Sequence, residues 1–314
     1  MITQQMEEYL EAIGKLEERG EAVTTSALAR ECKVSQPTVT QMLHRLTEQG
    51  LIRYAPRKEV SLTEAGRALA ATVIRRHRLW ERFLHDVLGL RWDQVHDQAC
   101  RLEHATSPEV ERRLAQTLGD SDTCPHGHAI PGTGHLDAHP ATMPLASLQP
   151  AQSALIDKVE EDSALLRRLD VLGIRPGALV QVEAVAPEDG TLTLTVDGHR
   201  QTMDRASAEQ VATAPLSAAE AQAAAAMPER LPLGDLAAGD TATVAEFLAG
   251  RGLVARCLAL GFTPGAEVRM VQNLHGGPVI VLVRDTRVAL GRGEAQKIIV
   301  TRSGGSHGQA NGVH

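Results

Sequence analysis

A seven-residue phrase occurs twice in the C-terminal half of this 314-residue chain, and it constrains the fold more than any other feature. Leu172-Gly173-Ile174-Arg175-Pro176-Gly177-Ala178 returns as Leu260-Gly261-Phe262-Thr263-Pro264-Gly265-Ala266. Strand-like alternation follows each copy, as Val180-Gln181-Val182 and as Val268-Arg269-Met270-Val271. A Gly-bearing turn and a further strand come next, Leu192 to Val196 in one copy and Val279 to Val283 in the other. A unit that repeats at this length is a structural module in its own right, so the chain carries two small all-β barrels rather than one extended core. The spans read as 145–214 and 229–302. Ala-rich residues Pro215 to Pro228 form a connector expected as one helix, and Ser303 to His314 is a Gly-rich polar tail expected to be disordered.

The N-terminal half follows different periodicities. Ile2, Met6, Tyr9, Leu10, Ile13 and Leu16 have helical spacing, ended by Arg19-Gly20. Thr24 or Thr25 caps a short helix, and the turn Lys33-Val34-Ser35 leads to a helix opened by Gln36-Pro37. Leu51 to Tyr54 and Val60 to Leu62 then alternate as a two-stranded hairpin. Residues 1–64 thus follow the plan of a winged helix-turn-helix, an α+β domain. Thr63, Asp93 and Ser107-Pro108 open three further helices, predicting an all-α domain over 65–140 with apolar faces suited to dimerisation. Asp120 to Pro150 reads as an ordered loop and linker.

Composition bounds the partners. A formal charge of -7 rules out nucleic-acid binding through bulk basicity, so any DNA contact needs a local basic surface. Cys32, Cys100, Cys124 and Cys257 are scattered, which excludes a secreted disulfide framework. No signal-peptide pattern follows Met1 and no apolar run approaches a membrane span, so a cytoplasmic protein with no membrane contact is expected.

The chemistry-bearing side chains fall into three sets. In helical register His96, Cys100, Glu103 and His104 share one face, combining imidazole, thiolate and carboxylate, a transition-metal ligand set. His77 and Glu81 are spaced i, i+4 on another helical stretch, and Glu8 and Glu11 i, i+3 on the first. Each set also has a bland reading. Glu8 and especially Glu11 read equally as solvated helix charges, Cys100 as a small core residue, and His85 as a surface group. Cys124, His126 and His128 mimic a zinc cluster but lie in a loop that needs no metal. Cys32 and Cys257, and the histidines at 135, 139, 307 and 314, carry little weight.

Residues 1 to about 140 resemble the DtxR/MntR family of metal-dependent transcriptional repressors. The likeness rests on Glu8-Tyr9-Leu10 with Leu16-Glu17-Glu18, on Ser35-Gln36-Pro37-Thr38-Val39-Thr40-Gln41, and on Arg76-His77-Arg78-Leu79 with Glu81-Arg82. It continues through Val95-His96-Asp97, Ala99-Cys100, Leu102-Glu103-His104 and the loop Pro125-His126-Gly127 with Ile130-Pro131. The two repeats resemble FeoA-type SH3-like modules.

The resemblance implies two neighbouring metal positions per protomer: an ancillary set of His77, Glu81 and His96, and a primary set of Glu8, Cys100, Glu103 and His104. The first SH3-like module would add Glu160, Glu161 or Asp162. Glu8 stands where iron-responsive members carry methionine, and Cys100 where manganese-responsive members carry an acid. This hybrid set points to Mn(II), with Fe(II) as the alternative.

On the DNA side the resemblance implies a homodimer reading a palindromic operator. Ser35, Gln36, Pro37, Thr38, Thr40 and Gln41 open the recognition helix, where Gln41 would read an adenine edge and Thr or Pro a thymine methyl. Arg45, the wing pair Arg57 and Lys58, and Thr25 and Ser26 would meet phosphates. The SH3-like modules would serve an intramolecular or protein partner. The expected function is metal-dependent repression of metal-uptake genes. A metal-independent winged-helix regulator is the alternative. A metallohydrolase is the remaining rival, lacking any separate general base or nucleophile motif.

Overall fold

Three hydroxyl caps set the frame of the N-terminal domain. Thr3 accepts from Met6 N–H, Thr24 from Ala27 N–H and Ser35 from Thr38 N–H, opening α1 (Gln4–Glu18), α2 (Thr25–Glu31) and α3 (Gln36–Glu48). Leu10, Ile13, Leu16, Leu28, Val39, Leu43 and Leu46 are fully buried between these helices. β1 (Ile52–Arg53) and β2 (Ser61–Leu62) pair antiparallel as the hairpin stem. The computed structural model describes residues 2–55, 59–119, 122–132, 142–226, 230–247, 251–274 and 277–302. Arg57 and Lys58, the expected wing contacts, lie outside them, as do the histidines at 135, 139, 307 and 314 and the expected disordered tail.

α4 (Glu64–Asp86) starts on the hairpin, where Thr63 Oγ1 accepts from Gly66 N–H at 3.1 Å. A Cβ on Gly66 would lie 1.9 Å from the Leu51 carbonyl oxygen, so only glycine allows this close approach. α5 (Trp92–Leu102) and α6 (Pro108–Leu118) follow. The helix expected to run to Ala105 instead tightens into a 3-10 turn over Glu103–Ala105.

The chain divides into two compact units. The first spans Met1–Phe83, Arg91–Gln116 and Asp120–Pro215; the second spans Leu84–Leu90, Thr117–Gly119 and Leu216–His314. Within the first, β3 (Met143–Pro144), β4 (Ser153–Val159), α7 (Ser163–Leu172), β5 (Leu179–Val185), β6 (Leu192–Val196), β7 (His199–Met203), α8 (Arg205–Ala208) and β8 (Val211–Leu216) form a module. Its sheet order is β3-β8-β4-β5-β6-β7. The linker expected to reach Pro150 ends earlier, because Met143 and Pro144 pair with Thr213 and Ala212 as an edge strand. Trp92, at the start of α5, is 6% exposed within the apolar core of this module. Ser163 Oγ donates to the Asp93 carbonyl at 3.1 Å beside it.

The second unit holds α9 (Ala218–Ala226), the expected connector helix, then β9 (Arg230–Pro232), β10 (Thr241–Phe247), α10 (Arg251–Ala259), β11 (Glu267–Gln272), β12 (Val279–Val283), β13 (Thr286–Leu290), α11 (Arg292–Ala295) and β14 (Ile298–Arg302). Its sheet order, β9-β14-β10-β11-β12-β13, matches the first strand for strand. The repeated phrase explains why. Gly173 (φ 72°) and Gly261 (φ 96°) close α7 and α10 in left-handed conformation. Ile174 and Phe262 then drop fully into their cores, and Gly177 (φ 89°) and Gly265 (φ 84°) turn the chain into the next strand. No helix among the described residues is long and apolar enough to cross a membrane.

Candidate metal centre

Four elements converge on a buried knot of ionisable groups. α4 supplies His77 and Glu81, both with fully buried side chains, one turn apart. His77 Nε2 lies 3.0 Å from Glu81 Oε1 and 3.2 Å from His96 Nδ1 on α5. The Cys100 sulfur, one turn further along α5, lies 3.7 Å from His96 Nε2 and 3.9 Å from His77 Nδ1. The loop between β4 and α7 brings in Glu161, with Oε2 3.0 Å from His96 Nδ1 and 3.9 Å from His77 Nε2. Asp162 is instead spent capping α7, and Glu160 faces Arg19 at 3.7 Å.

The first helix closes the knot. Glu11, which could have been a solvated helix charge, is 8% exposed and lies 3.8 Å from His77 Nδ1. Lys15, one turn on, places its ammonium 3.0 Å from Glu11 Oε1 and 3.4 Å from Glu161 Oε2. Glu103 Oε2 meets His77 Nδ1 at 2.5 Å, and its other oxygen meets His104 Nε2 at 3.1 Å. His104 Nδ1 in turn pairs with Glu7 at 2.7 Å.

Glu8 and His104 depart from the expected primary set. Glu8 has a half-exposed side chain, accepts from Gln4 at 3.1 Å, and is 3.9 Å from His104 Nε2. His96, Cys100 and Glu103 keep one face towards His77, since Glu103 retains helical dihedrals and its N–H still bonds the Ala99 carbonyl. The 3-10 turn that begins at Glu103 leaves His104 on the side of α1, where it pairs with Glu7. Cys100 stays with the two histidines.

The Cys124 loop adds a second cluster. Cys124 and His126 are buried, and His126 Nε2 donates to the Trp92 carbonyl at 2.8 Å. That fixes Nδ1 towards Glu81 Oε1 (3.5 Å), Glu161 Oε1 (3.8 Å) and the Cys124 sulfur (3.8 Å). His128 Nε2 donates to the Val159 carbonyl at 3.0 Å and lies 3.9 Å from Glu161 Oε1. Gly127 (φ 91°) lets the loop lie on β4, since a Cβ there would sit 2.1 Å from the Asp157 carbonyl oxygen. The sequence placed a zinc-like pattern here without need of metal; its capacity for ligation arises from Glu81 and Glu161, which lie far away in sequence. His85 Nδ1 donates to the Leu90 carbonyl at 2.9 Å and takes no part.

Burial works against every charge in the knot, and opposite charges overcome it. It pushes the Glu81 carboxyl up, but His77 and His126 hold it well below the ordinary range. It pulls His96 down, yet hydrogen bonds with Cys100, Glu161 and Glu81 raise it to about 11. It raises the Cys100 thiol, but His77 and His96 bring it below its ordinary value, favouring thiolate. The groups His77/His96/Cys100, His77/Glu81/His96/Glu161, Glu81/Cys124/His126/Glu161 and Glu11/His77/Glu103 each gather their ligand atoms within 4.8 Å. Glu81 Oε2 is buried with no hydrogen-bond partner among the described residues. A buried carboxylate oxygen left this way is costly in water-free surroundings and suits a cation. The donor set therefore fits a divalent metal.

The reading helix presents a different surface. Ser35, Gln36, Pro37, Thr38, Gln41 and Arg45 are exposed on α3, with Ser26 exposed at the start of α2. Thr25 and Thr40 are half-buried, and Thr40 Oγ1 donates to the Gln36 carbonyl at 3.1 Å. The side chains of Gln41 and Arg45 make no hydrogen bond or ion pair among the described residues, although the Arg45 carbonyl accepts from Gln49 N–H.

Residues 1–60 match the family described as iron dependent repressor, N-terminal DNA binding domain, and residues 63–132 its metal binding and dimerisation domain. Residues 143–214 and 231–302 each match the FeoA domain. The iron-dependent repressor IdeR of Mycobacterium tuberculosis is 40% identical over 206 residues, covering 62% of this chain and 89% of that protein. The diphtheria toxin repressor of Corynebacterium diphtheriae is 36% identical over 204 residues, covering 61% and 88%. A solved manganese-dependent transcriptional repressor in complex with manganese aligns with TM-score 0.63 at 31% identity, covering 67% of this chain and all of that one. The manganese regulator SloR aligns with TM-score 0.58 at 28% identity, covering 68% of this chain and all of that one.

Proposed function

The chain belongs to the iron-dependent repressor family, and from that premise we propose that it is a metal-responsive, dimeric DNA-binding repressor whose response is set by the knot at His77. One observation carries the reading: side chains from α1, α4, α5 and the β4–α7 loop meet within 4 Å around two buried residues, His77 and Glu81. His77, Glu81, His96 and Glu161 would hold one ion, and Glu11, Cys100 and Glu103 neighbour it with further donors. Glu81, Cys124, His126 and Glu161 offer a second arrangement. The bound ion supplies concentrated positive charge that offsets the crowded carboxylates. Four carboxylates, Glu11, Glu81, Glu103 and Glu161, make the set oxygen-rich, which suits Mn(II) and, with Cys100, Fe(II).

The chain's own residues carry the coupling to DNA. Glu7 and Glu11 tie α1 to His104 and His77, and α1 packs directly on α2 and α3. Fixing α1 against α4 and α5 therefore fixes the pose of the recognition helix. In a homodimer that pose sets the separation of two α3 helices over successive major grooves of a palindromic operator. Gln36, Pro37, Thr38, Thr40 and Gln41 face the bases, with Arg45, Thr25, Ser26 and the wing residues Arg57 and Lys58 on phosphates.

The test is fluorescence anisotropy of labelled promoter DNA against anaerobic titrations of Mn(II) and Fe(II). Tight binding only with metal, reversed by chelator, is expected, with Mn(II) acting at the lower free concentration. Equal binding after full demetallation would instead establish a metal-independent regulator.

A further inference from the structure

We infer that Lys15 is a tethered cation that stands in for the divalent ion in the metal-free protein and so sets the metal level at which the protein responds; this rests on the metal-responsive reading above. The Lys15 ammonium lies 3.0 Å from Glu11 Oε1 and 3.4 Å from Glu161 Oε2, and the side chains of all three are 10–15% exposed. Those two oxygens belong to different donor groups. Glu11 is grouped with His77 and Glu103, and Glu161 with His77, Glu81 and His96. One positive charge on a flexible stem thus holds a donor from each, and it links α1 of the DNA-binding domain to the β4–α7 loop of the first module.

The position is unusual for lysine. It is the one cation on α1 that reaches the knot, on a helix whose surrounding residues Ala12, Ile13, Gly14 and Leu16 are buried. A charge taken this far from water is kept there by partners, and its partners are the proposed ligands themselves. A divalent ion that recruits Glu11 or Glu161 must therefore evict the ammonium or bind beside it. Removing the charge favours metal uptake through both states. The metal-bound state loses a repulsion, and the metal-free state loses the compensation of its carboxylates.

The experiment uses the full chain with Mn(II) alone as probe. Affinity is measured by competition with a fluorescent chelator, and metal-free unfolding midpoints are taken in parallel. Lys15→Met and Lys15→Gln are each expected to tighten Mn(II) binding by about tenfold or more, equivalent to ~1.4 kcal/mol, while lowering the metal-free midpoint. Lys15→Arg, which keeps the charge, stays close to wild type in both. Should the methionine variant not fold without metal, the glutamine variant, which keeps hydrogen-bonding capacity, carries the comparison. Neutral variants that bind Mn(II) no more tightly than wild type overturn the inference while leaving metal response intact. A wild-type protein that takes up no Mn(II) overturns the metal-responsive reading, and this inference with it.

Discussion

Arg78 offers the sharpest test of how α1 is held when no metal is involved. Its guanidinium forks onto Glu18 with bonds of 3.1 and 2.5 Å and also donates to the Ala129 carbonyl at 2.6 Å. The Arg78 and Glu18 side chains are 2% and 9% exposed. Glu18 ends α1 and Arg78 lies on α4 beside His77, so this fork is a strut between the DNA-binding and helical domains. Glu18→Gln keeps the shape and one acceptor oxygen but removes the charge. Breaking a buried pair from one side costs about 3–5 kcal/mol, because the remaining ion is left uncompensated. The retained amide oxygen and the Ala129 carbonyl put the expected loss near the low end, about 3 kcal/mol. For a unit of this size each kcal/mol moves the midpoint by about 2–4 °C, so a fall of roughly 6–12 °C is expected in chelator. Tryptophan fluorescence reports it, since Trp80, bonded to Thr106, and Trp92, in the apolar core of the first module, both belong to the first unit. A double-mutant cycle with Arg78→Met should return a coupling of similar size. A loss below about 1 kcal/mol, or no coupling, would mean that the fork is cosmetic and that the domains are held by other means.

Other consequences are open to direct measurement. Glu81→Gln is expected to weaken Mn(II) binding by about 10–100-fold, read by chelator competition; unchanged affinity would remove Glu81 from the ligand set. Burial and Lys15 pull His77 down, but Glu81, Cys100 and Glu103 hold it well above its ordinary value, and His96 is raised to about 11, so both are shifted towards their protonated forms. Ligation needs their neutral forms, so metal binding releases protons and apparent affinity rises with pH. Calorimetry in buffers of differing protonation enthalpy measures the release, and proton-neutral binding would contradict it. Gly127→Ala forces a Cβ against the Asp157 carbonyl and strains a φ of 91°, so it should lift the Cys124 loop and destabilise the first unit by about 1–3 kcal/mol, seen in urea unfolding. Gln41→Ala should cost about 1–3 kcal/mol at one base position and nothing elsewhere in the operator, measured with a panel of single-substituted duplexes.

The repeated modules were legible because their signal is local. Gly173, Gly177, Gly261 and Gly265 occupy left-handed positions that only glycine fills without strain, so the pattern writes the turn directly. His77, Glu81, His96 and Cys100 were legible for a similar reason, since one helical turn separates each pair. Three parts of the centre were not. The switch to a 3-10 turn at Glu103 comes from how the chain leaves α5, and helical counting carries no trace of it. Glu11 is a candidate ligand that reads equally as a solvated helix charge, and nothing in the sequence singles out Lys15; the docking of α1 against α4 and the β4–α7 loop turns both inward. Cys124 and His126 looked like a free-standing cluster because their acidic partners are distant in sequence, Glu81 on α4 and Glu161 in the first module. Glu7 was missed altogether, and only its place next to Glu8 on the acidic first turn hinted at it.

Trp92 sits on the helix that bears His96 and Cys100, yet its indole completes the apolar interior of the barrel that delivers Glu161. An anchor shared in this way gives the two bodies a common melting event. The barrel cannot be pared away as a spare appendage, since pulling it off would uncork the helix beneath. Partial chains ending before Met143 should therefore bind metal with a loosened α5, and their behaviour will not report that of the intact protein.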